Sequence, residues 1–171
     1  MERIHQEDFC QATGTEPDDK YQEDGGPSLA RIANIVTAVT VRGSLERLLQ
    51  AVTRNSLIGN GDAHAKNFSL LHQRSGVLHL APASDAMCTL TYNDDRLAMY
   101  VDGVHPTTRV TAPRLIDEGA SWGLPRRRCE DVTDLLDRAP DAIGTVRDET
   151  AGAPDSIVGA VEGQLAQLRT S

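Results

Sequence analysis

Aromatic residues are scarce in this chain: they make up 4% of its 171 residues, whereas hydrophobic residues as a whole make up 39%. A core formed by this sequence must therefore be mostly aliphatic. Lysine is also scarce, since only Lys20 and Lys66 stand among the 17 basic residues. Long apolar runs are missing, and none approaches the roughly 20 residues that a membrane-spanning helix needs.

Cysteine usage and the first residues indicate the compartment. Cys10, Cys88 and Cys129 are odd in number and far apart, and no C-x-x-C pair occurs. This spacing is typical of a reducing cytoplasm and gives no support for a zinc site. Residues 1–5 contain no signal-peptide core. We therefore expect a cytoplasmic protein without a membrane segment.

The chain is acidic, with a formal net charge of −8 at pH 7. General affinity for nucleic acids or anionic membranes depends on clustered Lys and Arg side chains, so we expect the chain to bind neither directly. We interpret the one basic run, residues 126–128, as the solvated start of a helix. With 25% charged residues, the composition is that of a globular domain with its own core.

Apolar residues at helical spacing predict a mainly α-helical chain. Residues 1–26 are polar and are expected to form a lead-in loop. A first helix follows Pro27, and Ser44 is expected to cap a second helix that ends at Gly59. In the last third we expect a short helix at 111–122, a longer helix at 129–146 that Pro140 kinks or splits, and a closing helix at 157–168.

Two regions predict β-structure. Residues 67–73 and 77–80 flank a short turn and are expected to form a β-hairpin. Alternating apolar residues at 97–101 indicate one further strand. The predicted fold is therefore mainly α with a small β-hairpin insertion.

The segment GNGDAHAKNFSLL at residues 59–71 places an acid, an imidazole, an amine and an amide within six residues. Asp62 and Asn67 have the same spacing as the Asp and Asn of the kinase signature H-R-D-x-x-x-x-N. Asp85 follows the hairpin as a second acid. Phosphoryl transfer needs one carboxylate near the attacking hydroxyl, while a second carboxylate and an amide oxygen suit Mg²⁺. This pattern favours a phosphotransferase site.

Other interpretations are open from these residues alone. Asp62 and Asn67 are also typical of a turn and of the start of a strand. His64 could bind a metal together with His72 or His79, although no Cys or Glu partner supports such a site.

Several stretches resemble the C-terminal lobe of HipA-type serine/threonine kinases, the toxins of bacterial toxin–antitoxin pairs. They are HQEDFCQ at 5–11, YQEDGGPSLAR at 21–31, the segment around Asp62 at 57–71, LAP with Asp85 at 80–85, and LAM at 97–99. The resemblance covers nearly the whole chain. It implies a protein-kinase-like C-lobe over residues 1–171, with a polar lead-in at 1–26, catalytic and metal loops at 58–90 and a helical part at 111–171.

The resemblance implies catalytic and metal-binding roles for three residues. Asp62 matches the family's catalytic acid, which accepts the proton of the substrate hydroxyl. Asn67 and Asp85 match the Mg²⁺ ligands. The implied cofactors are therefore ATP and Mg²⁺. The implied partners are a protein substrate, possible examples being aminoacyl-tRNA synthetases, and a DNA-binding antitoxin.

The resemblance also implies a cofactor-binding loop. In this family the segment that matches His64, Ala65, Lys66 and Asn67 approaches the nucleotide phosphates. Ser84 occupies a neighbouring cofactor-binding position, where the family usually has tyrosine. Lys66 and His64 would help to neutralise the charge of the phosphates.

A working kinase also needs an N-terminal lobe with a glycine-rich loop and a lysine on a strand. No G-x-G-x-x-G motif occurs here, and Lys20 lies in a polar segment. We therefore expect a C-lobe alone: a truncated gene, a pseudogene product, or one piece of a split protein whose N-lobe is separately encoded. The alternative function is that of a catalytically inactive remnant that binds proteins. The isolated chain is expected to lack kinase activity, to bind ATP and Mg²⁺ weakly, and to expose an apolar patch near Asp62.

Overall fold

The first two thirds of the chain contain helices and short strands, and the described residues of the last third are mostly helical. The computed structural model describes residues 3–149 and 154–170. The helices are α1 (Phe9–Thr13), α2 (Leu29–Val39), α3 (Ser44–Ile58), α4 (Ala112–Ser121), α5 (Arg126–Thr133), α6 (Leu135–Glu149) and α7 (Asp155–Leu168). The strands are β1 (His5–Asp8), β2 (Ser69–His72), β3 (Leu78–Leu80), β4 (Arg96–Val101) and β5 (Val104–Pro106). The predicted mainly α fold with a small amount of β-structure is confirmed.

The boundaries of α2 and α3 follow from local capping. Ser28 precedes α2, and its hydroxyl accepts a hydrogen bond of 3.2 Å from the backbone N–H of Arg31. The predicted cap of α3 by Ser44 is wrong: Gly43 is the N-cap, with a left-handed φ of 89°. Ser44 is the first helical residue, and its hydroxyl has no hydrogen-bond partner among the described residues. Gly59 ends α3, as predicted.

The core is built around α3, and it is largely aliphatic. Leu48 and Leu49 of this helix are completely buried, and α2, α4, α5 and α7 all pack against it. The largest fully buried side chains elsewhere in the described residues include Phe9, Ile32, Leu115 and Leu168. Burial of such side chains supplies most of the favourable free energy of folding.

The predicted hairpin is part of a three-stranded antiparallel sheet with the order β1-β2-β3. Glu7 of β1 lies opposite Leu70 of β2, which in turn lies opposite Leu80 of β3. The prediction of a lead-in loop at 1–26 is therefore wrong, because this region contains both β1 and α1. Asp8 caps α1 through a hydrogen bond of 2.9 Å from the backbone N–H of Gln11.

The further strand expected at 97–101 is present as β4, which pairs with β5 in a separate two-stranded sheet. Glu118 of α4 joins this sheet to the helices. Its carboxylate accepts hydrogen bonds from the backbone N–H of Asp102 at 2.6 Å and from Nε1 of Trp122 at 2.9 Å. Both partners satisfy a carboxylate that is only 9% exposed.

The long helix expected at 129–146 is divided, but Pro140 does not divide it. The break lies between α5 and α6 at Asp134, and Pro140 lies inside α6. Pro140 has no N–H to donate to the carbonyl of Leu136, and that carbonyl instead accepts a hydrogen bond of 3.0 Å from Nη2 of Arg169. The basic run at 126–128 is the exposed start of α5, as predicted.

Parts of two predicted regions lie outside the described residues. They are residues 1–2 of the lead-in and residues 150–153 and 171 of the helical part. Among the described helices, none combines the length and the apolar character needed to cross a membrane.

Candidate active site

Two glycines fix the path of the loop that carries Asp62. Gly59 ends α3 with a φ of 68°, a left-handed conformation that other residues rarely adopt. A Cβ atom on Gly61 would overlap the carbonyl oxygen of Arg96, so only glycine fits there. The carbonyl of Gly61 accepts a hydrogen bond of 2.7 Å from the backbone N–H of Ala98. The loop is therefore held against β4.

Among the described residues, the side chain that donates a hydrogen bond to Asp62 is that of Tyr21. The phenolic O–H of Tyr21 donates to Oδ1 of Asp62 at 2.7 Å. This hydrogen bond is the main reason why the pKa of Tyr21 is raised above its usual value of 10.0, and partial burial adds to the effect. Tyr21 therefore remains a donor at physiological pH and stabilises the carboxylate through one oxygen. Within the described residues, Oδ2 of Asp62 has no hydrogen-bond partner.

Sequence reasoning missed Tyr21 as a site residue, because 41 positions separate it from Asp62. The only signal was its place at the start of the YQEDGGPSLAR stretch. Its ring also meets the ring of His64 edge to face, with centroids 5.7 Å apart. The ammonium of Lys20 lies 4.9 Å from the centroid of the Tyr21 ring. The lead-in region thus supplies one wall of the site.

Asp62 faces an open cleft of about 570 Å³. Acidic side chains line much of this cleft, together with Arg96 and several apolar or aromatic residues. Two of the large ones are exposed: Met87 is 42% exposed and Tyr92 is 77% exposed. These two residues place exposed apolar surface beside Asp62, as predicted.

Asn67 and Asp85 lie in direct contact beside the Asp62 loop. Nδ2 of Asn67 donates to Oδ2 of Asp85 at 2.8 Å, and Oδ1 of Asn67 accepts from the backbone N–H of His64 at 2.9 Å. The hydroxyl of Ser84 donates to the backbone carbonyl of Asn67 at 3.2 Å. The fold therefore brings together Asn67, Ser84 and Asp85, although the hairpin separates them in sequence.

Asn60 holds the Asp85 segment in place, and sequence reasoning gave it no role. Its side chain is 2% exposed, and Nδ2 donates to the backbone carbonyl of Asp85 at 3.1 Å. Asp85 itself has a φ of 55°, a left-handed conformation that Asp tolerates better than most residues. The hydrogen bond to Asn60 helps to maintain this conformation, in which the Asp85 carboxylate is exposed.

The remaining predicted residues differ widely in exposure. His64 is 7% exposed, and its Nδ1 has no hydrogen-bond partner among the described residues. Burial, with a smaller contribution from the charge of Lys20, lowers the pKa of His64 below its usual value of 6.5. The ring is therefore neutral at pH 7. Ala65 is completely buried, whereas Lys66 is exposed.

The two proposed metal ligands fit a hard cation that also binds phosphate oxygens. Asp85 offers a carboxylate, and Oδ1 of Asn67 retains one lone pair after accepting from His64. Two protein oxygens are too few for a closed all-protein cage but suit Mg²⁺, which usually keeps waters and substrate phosphates as further ligands. The described residues contain no group of three or more His, Cys, Asp or Glu side chains that could hold a metal.

The alternative metal site at His64, His72 and His79 is therefore not formed in the described residues. Nε2 of His72 instead lies 2.9 Å from Oε2 of Glu7 on the neighbouring strand.

The profile described as "HipA-like C-terminal domain" matches residues 1–143. The chain belongs to this family. A second finding agrees with this assignment: over 164 residues the chain is 36% identical to the Sinorhizobium fredii protein named "Putative kinase Y4mE", covering 88% of this chain and 37% of that protein.

Two further matches agree with the HipA-like assignment, one to a named protein and one to a solved structure. The "Serine/threonine-protein kinase toxin HipA" of Shewanella oneidensis is 30% identical over 161 residues, covering 84% of this chain and 36% of the toxin. A structure of Shewanella oneidensis HipA with HipB and operator DNA matches with a TM-score of 0.81 and 26% identity, over 97% of this chain and 42% of that chain. The HipA-like domain described here thus spans about two fifths of the length of such proteins.

Proposed function

We propose that this chain is the catalytic lobe of a serine/threonine protein kinase that transfers the γ-phosphoryl group of ATP to a protein hydroxyl. The observation that carries the proposal is the contact of 2.8 Å between Asn67 and Asp85, close in sequence and space to the Asp62 loop. This contact supports the proposal because phosphoryl transfer needs one acid near the acceptor hydroxyl, and an amide with a second acid for the metal.

In this proposal Asp62 orients the acceptor hydroxyl. Tyr21 occupies Oδ1, so Oδ2 accepts the hydroxyl proton while the hydroxyl oxygen forms a bond to the γ-phosphorus. The bond between the γ-phosphorus and the bridging oxygen breaks, and ADP leaves. Asn67 and Asp85 would hold Mg²⁺, which supplies neutralisation of phosphate charge when it is bound. Because His64 is neutral at pH 7, Lys66 is the basic side chain of the loop that faces the phosphates.

Calorimetric titration with ATP tests the nucleotide and metal site. We expect the wild-type chain to bind ATP weakly and only in the presence of Mg²⁺. Asp85→Ala should weaken this binding by about tenfold or more, because one of two protein metal ligands is lost. The matched control is Asp141→Ala, an exposed aspartate on α6, which should bind like the wild type.

Two outcomes would contradict the proposal: ATP binding that does not depend on Mg²⁺, or equal binding by the wild type and Asp85→Ala.

The role of Asp62 is tested separately. Asp62→Ala should retain Mg²⁺-dependent ATP binding and lose phosphoryl transfer once the chain is combined with an N-lobe. Robust phosphorylation by the isolated wild-type chain would show that a further lobe is not needed.

A second candidate function is a protein-binding module without catalysis, and the exposed Met87 and Tyr92 beside Asp62 favour it. Apolar surface of this kind suits contact with another protein. The partners that we propose in either case are an antitoxin or an N-lobe, with a protein substrate in the catalytic case. Absence of any ATP binding, together with tight binding of such a protein that Tyr92→Ser weakens, would favour the second function.

A further inference from the structure

A second groove, of about 780 Å³, lies between α3, the β2–β3 hairpin and the region where α5 meets α6. Its walls include three arginines, Arg47, Arg54 and Arg138, and one carboxylate, Asp131. The formal charge of these four residues is about +2 by simple counting of ionised side chains, in a chain whose net charge is −8. The groove is therefore a local concentration of positive charge.

Helical spacing places two of these arginines on one face. Arg47, Gln50 and Arg54 follow one another on α3 at intervals of three and four residues, so they line the same wall. Arg138 projects from α6 on the opposite wall. Within residues 3–149 and 154–170, none of the three guanidinium groups forms a hydrogen bond or an ion pair. Asp131 lies 3.6 Å from Arg128 instead.

Arg54 has an unusual environment. Its Nε and Nη2 atoms are buried and have no hydrogen-bond partner in the described residues. These atoms form the side edge of the guanidinium, the fork that binds two oxygens of a carboxylate or phosphate in parallel. Buried donors without acceptors are unfavourable. The side chain is half-buried and lines the groove, so this edge would reach an anion in the groove only after a rotation of the last side-chain torsions.

We propose that this groove binds an oxyanion of the phosphate class through the Nε and Nη2 edge of Arg54. Arg47 and Arg138 add charge from the two walls, and polar side chains such as Gln50 and Gln73 can donate further hydrogen bonds. The anion is either a free phosphate or pyrophosphate, or a phosphoryl group on a protein side chain. The groove is separate from the Asp62 cleft, although Asn67, one of the two proposed Mg²⁺ ligands, also lines it. The proposal rests on the arginines and does not depend on the proposed kinase activity.

Calorimetry on the full chain tests this site, with EDTA present so that Mg²⁺ does not contribute. The probes are sodium pyrophosphate and a short phosphoserine peptide, with the unphosphorylated peptide as a reference. We expect saturable binding of pyrophosphate that Arg54→Gln weakens by about tenfold, which corresponds to about 1.4 kcal/mol. The matched control is Arg42→Gln, which removes the same charge at an exposed position outside the groove.

Arg138→Gln provides a second test on an exposed side chain, so that the result does not depend on whether Arg54→Gln folds. It should weaken binding more than Arg42→Gln does. Tighter binding of the phosphoserine peptide than of pyrophosphate would assign the ligand to a modified protein, and the reverse order would assign it to a free anion. The proposal would be overturned if neither probe bound saturably, or if Arg138→Gln and Arg42→Gln weakened pyrophosphate binding equally.

Discussion

Asn67 uses both ends of its side-chain amide: Oδ1 accepts from the backbone N–H of His64, and Nδ2 donates to Asp85. Tyr21 and Asn60 act in a similar way, since each holds one acid of the candidate site through a single hydrogen bond. The acids themselves remain accessible, while their supporting partners are buried or half-buried. This arrangement fixes the positions of both carboxylates, and in each of them only one oxygen accepts a hydrogen bond from the described residues.

His64 is expected to make the protein sensitive to mild acid. Burial lowers its pKa in the folded state below the usual value of 6.5, so the unfolded chain takes up a proton first as the pH falls. The stability that depends on neutral His64 is therefore fully present above pH 6.5 and is lost as the pH falls through the folded-state pKa. Melting temperatures measured from about pH 8 to about pH 5 should fall less steeply for His64→Gln than for the wild type.

His79→Gln, on β3, is the control for loss of a histidine elsewhere. Parallel pH curves for the wild type and His64→Gln would show that His64 does not titrate differently in the folded and unfolded states.

At the scale of secondary structure, the end of α3 at Gly59 could be predicted because Gly59 acts on its own turn of helix. The predicted cap at Ser44 is off by one residue, since Gly43 takes that position. The other errors have distant causes. Residues 5–8 become a strand only by pairing with β2, more than sixty positions away, and α6 continues through Pro140 while Arg169 satisfies the freed carbonyl of Leu136. Asp62 and Asn67 were visible as a motif, whereas Tyr21 was not.

Gly61 illustrates such a distant constraint, and its replacement tests it. Gly61→Ala is expected to destabilise the fold by about 2 kcal/mol or more, because the added Cβ would overlap the backbone carbonyl of Arg96, which is fixed in β4. Gly144→Ala in α6 is the matched control. A Cβ there meets no atom within 4 Å, so this change should stabilise the protein by about 0.5–1 kcal/mol.

Urea unfolding followed by circular dichroism gives both free energies. A loss of less than about 0.5 kcal/mol for Gly61→Ala would mean that β4 can move away from the loop, and that the close approach does not position Asp62.

At the scale of the whole molecule, α7 is joined to the domain although it lies beyond the residues 1–143 that match the HipA-like family. It packs against α3 and α6. Nε2 of its Gln164, which is 3% exposed, donates to the backbone carbonyl of Thr107 at 2.9 Å. Leu168 is completely buried in the core cluster. These contacts make α7 part of the same core as the site-bearing loops.

Leu168→Ala is therefore expected to destabilise the entire domain by about 2–5 kcal/mol, the usual cost of a cavity in a well-packed core. Ile157→Ala is the matched control on the same helix, since Ile157 is 40% exposed, and it should cost less than about 1 kcal/mol. Unfolding in urea, followed both by circular dichroism and by the fluorescence of the single tryptophan, Trp122, should give one coincident transition for each variant. If the Leu168→Ala fluorescence transition stayed at the wild-type midpoint while part of the helical signal was lost earlier, α7 would unfold independently. The loops at Asp62 and Asp85 would then be stabilised without it.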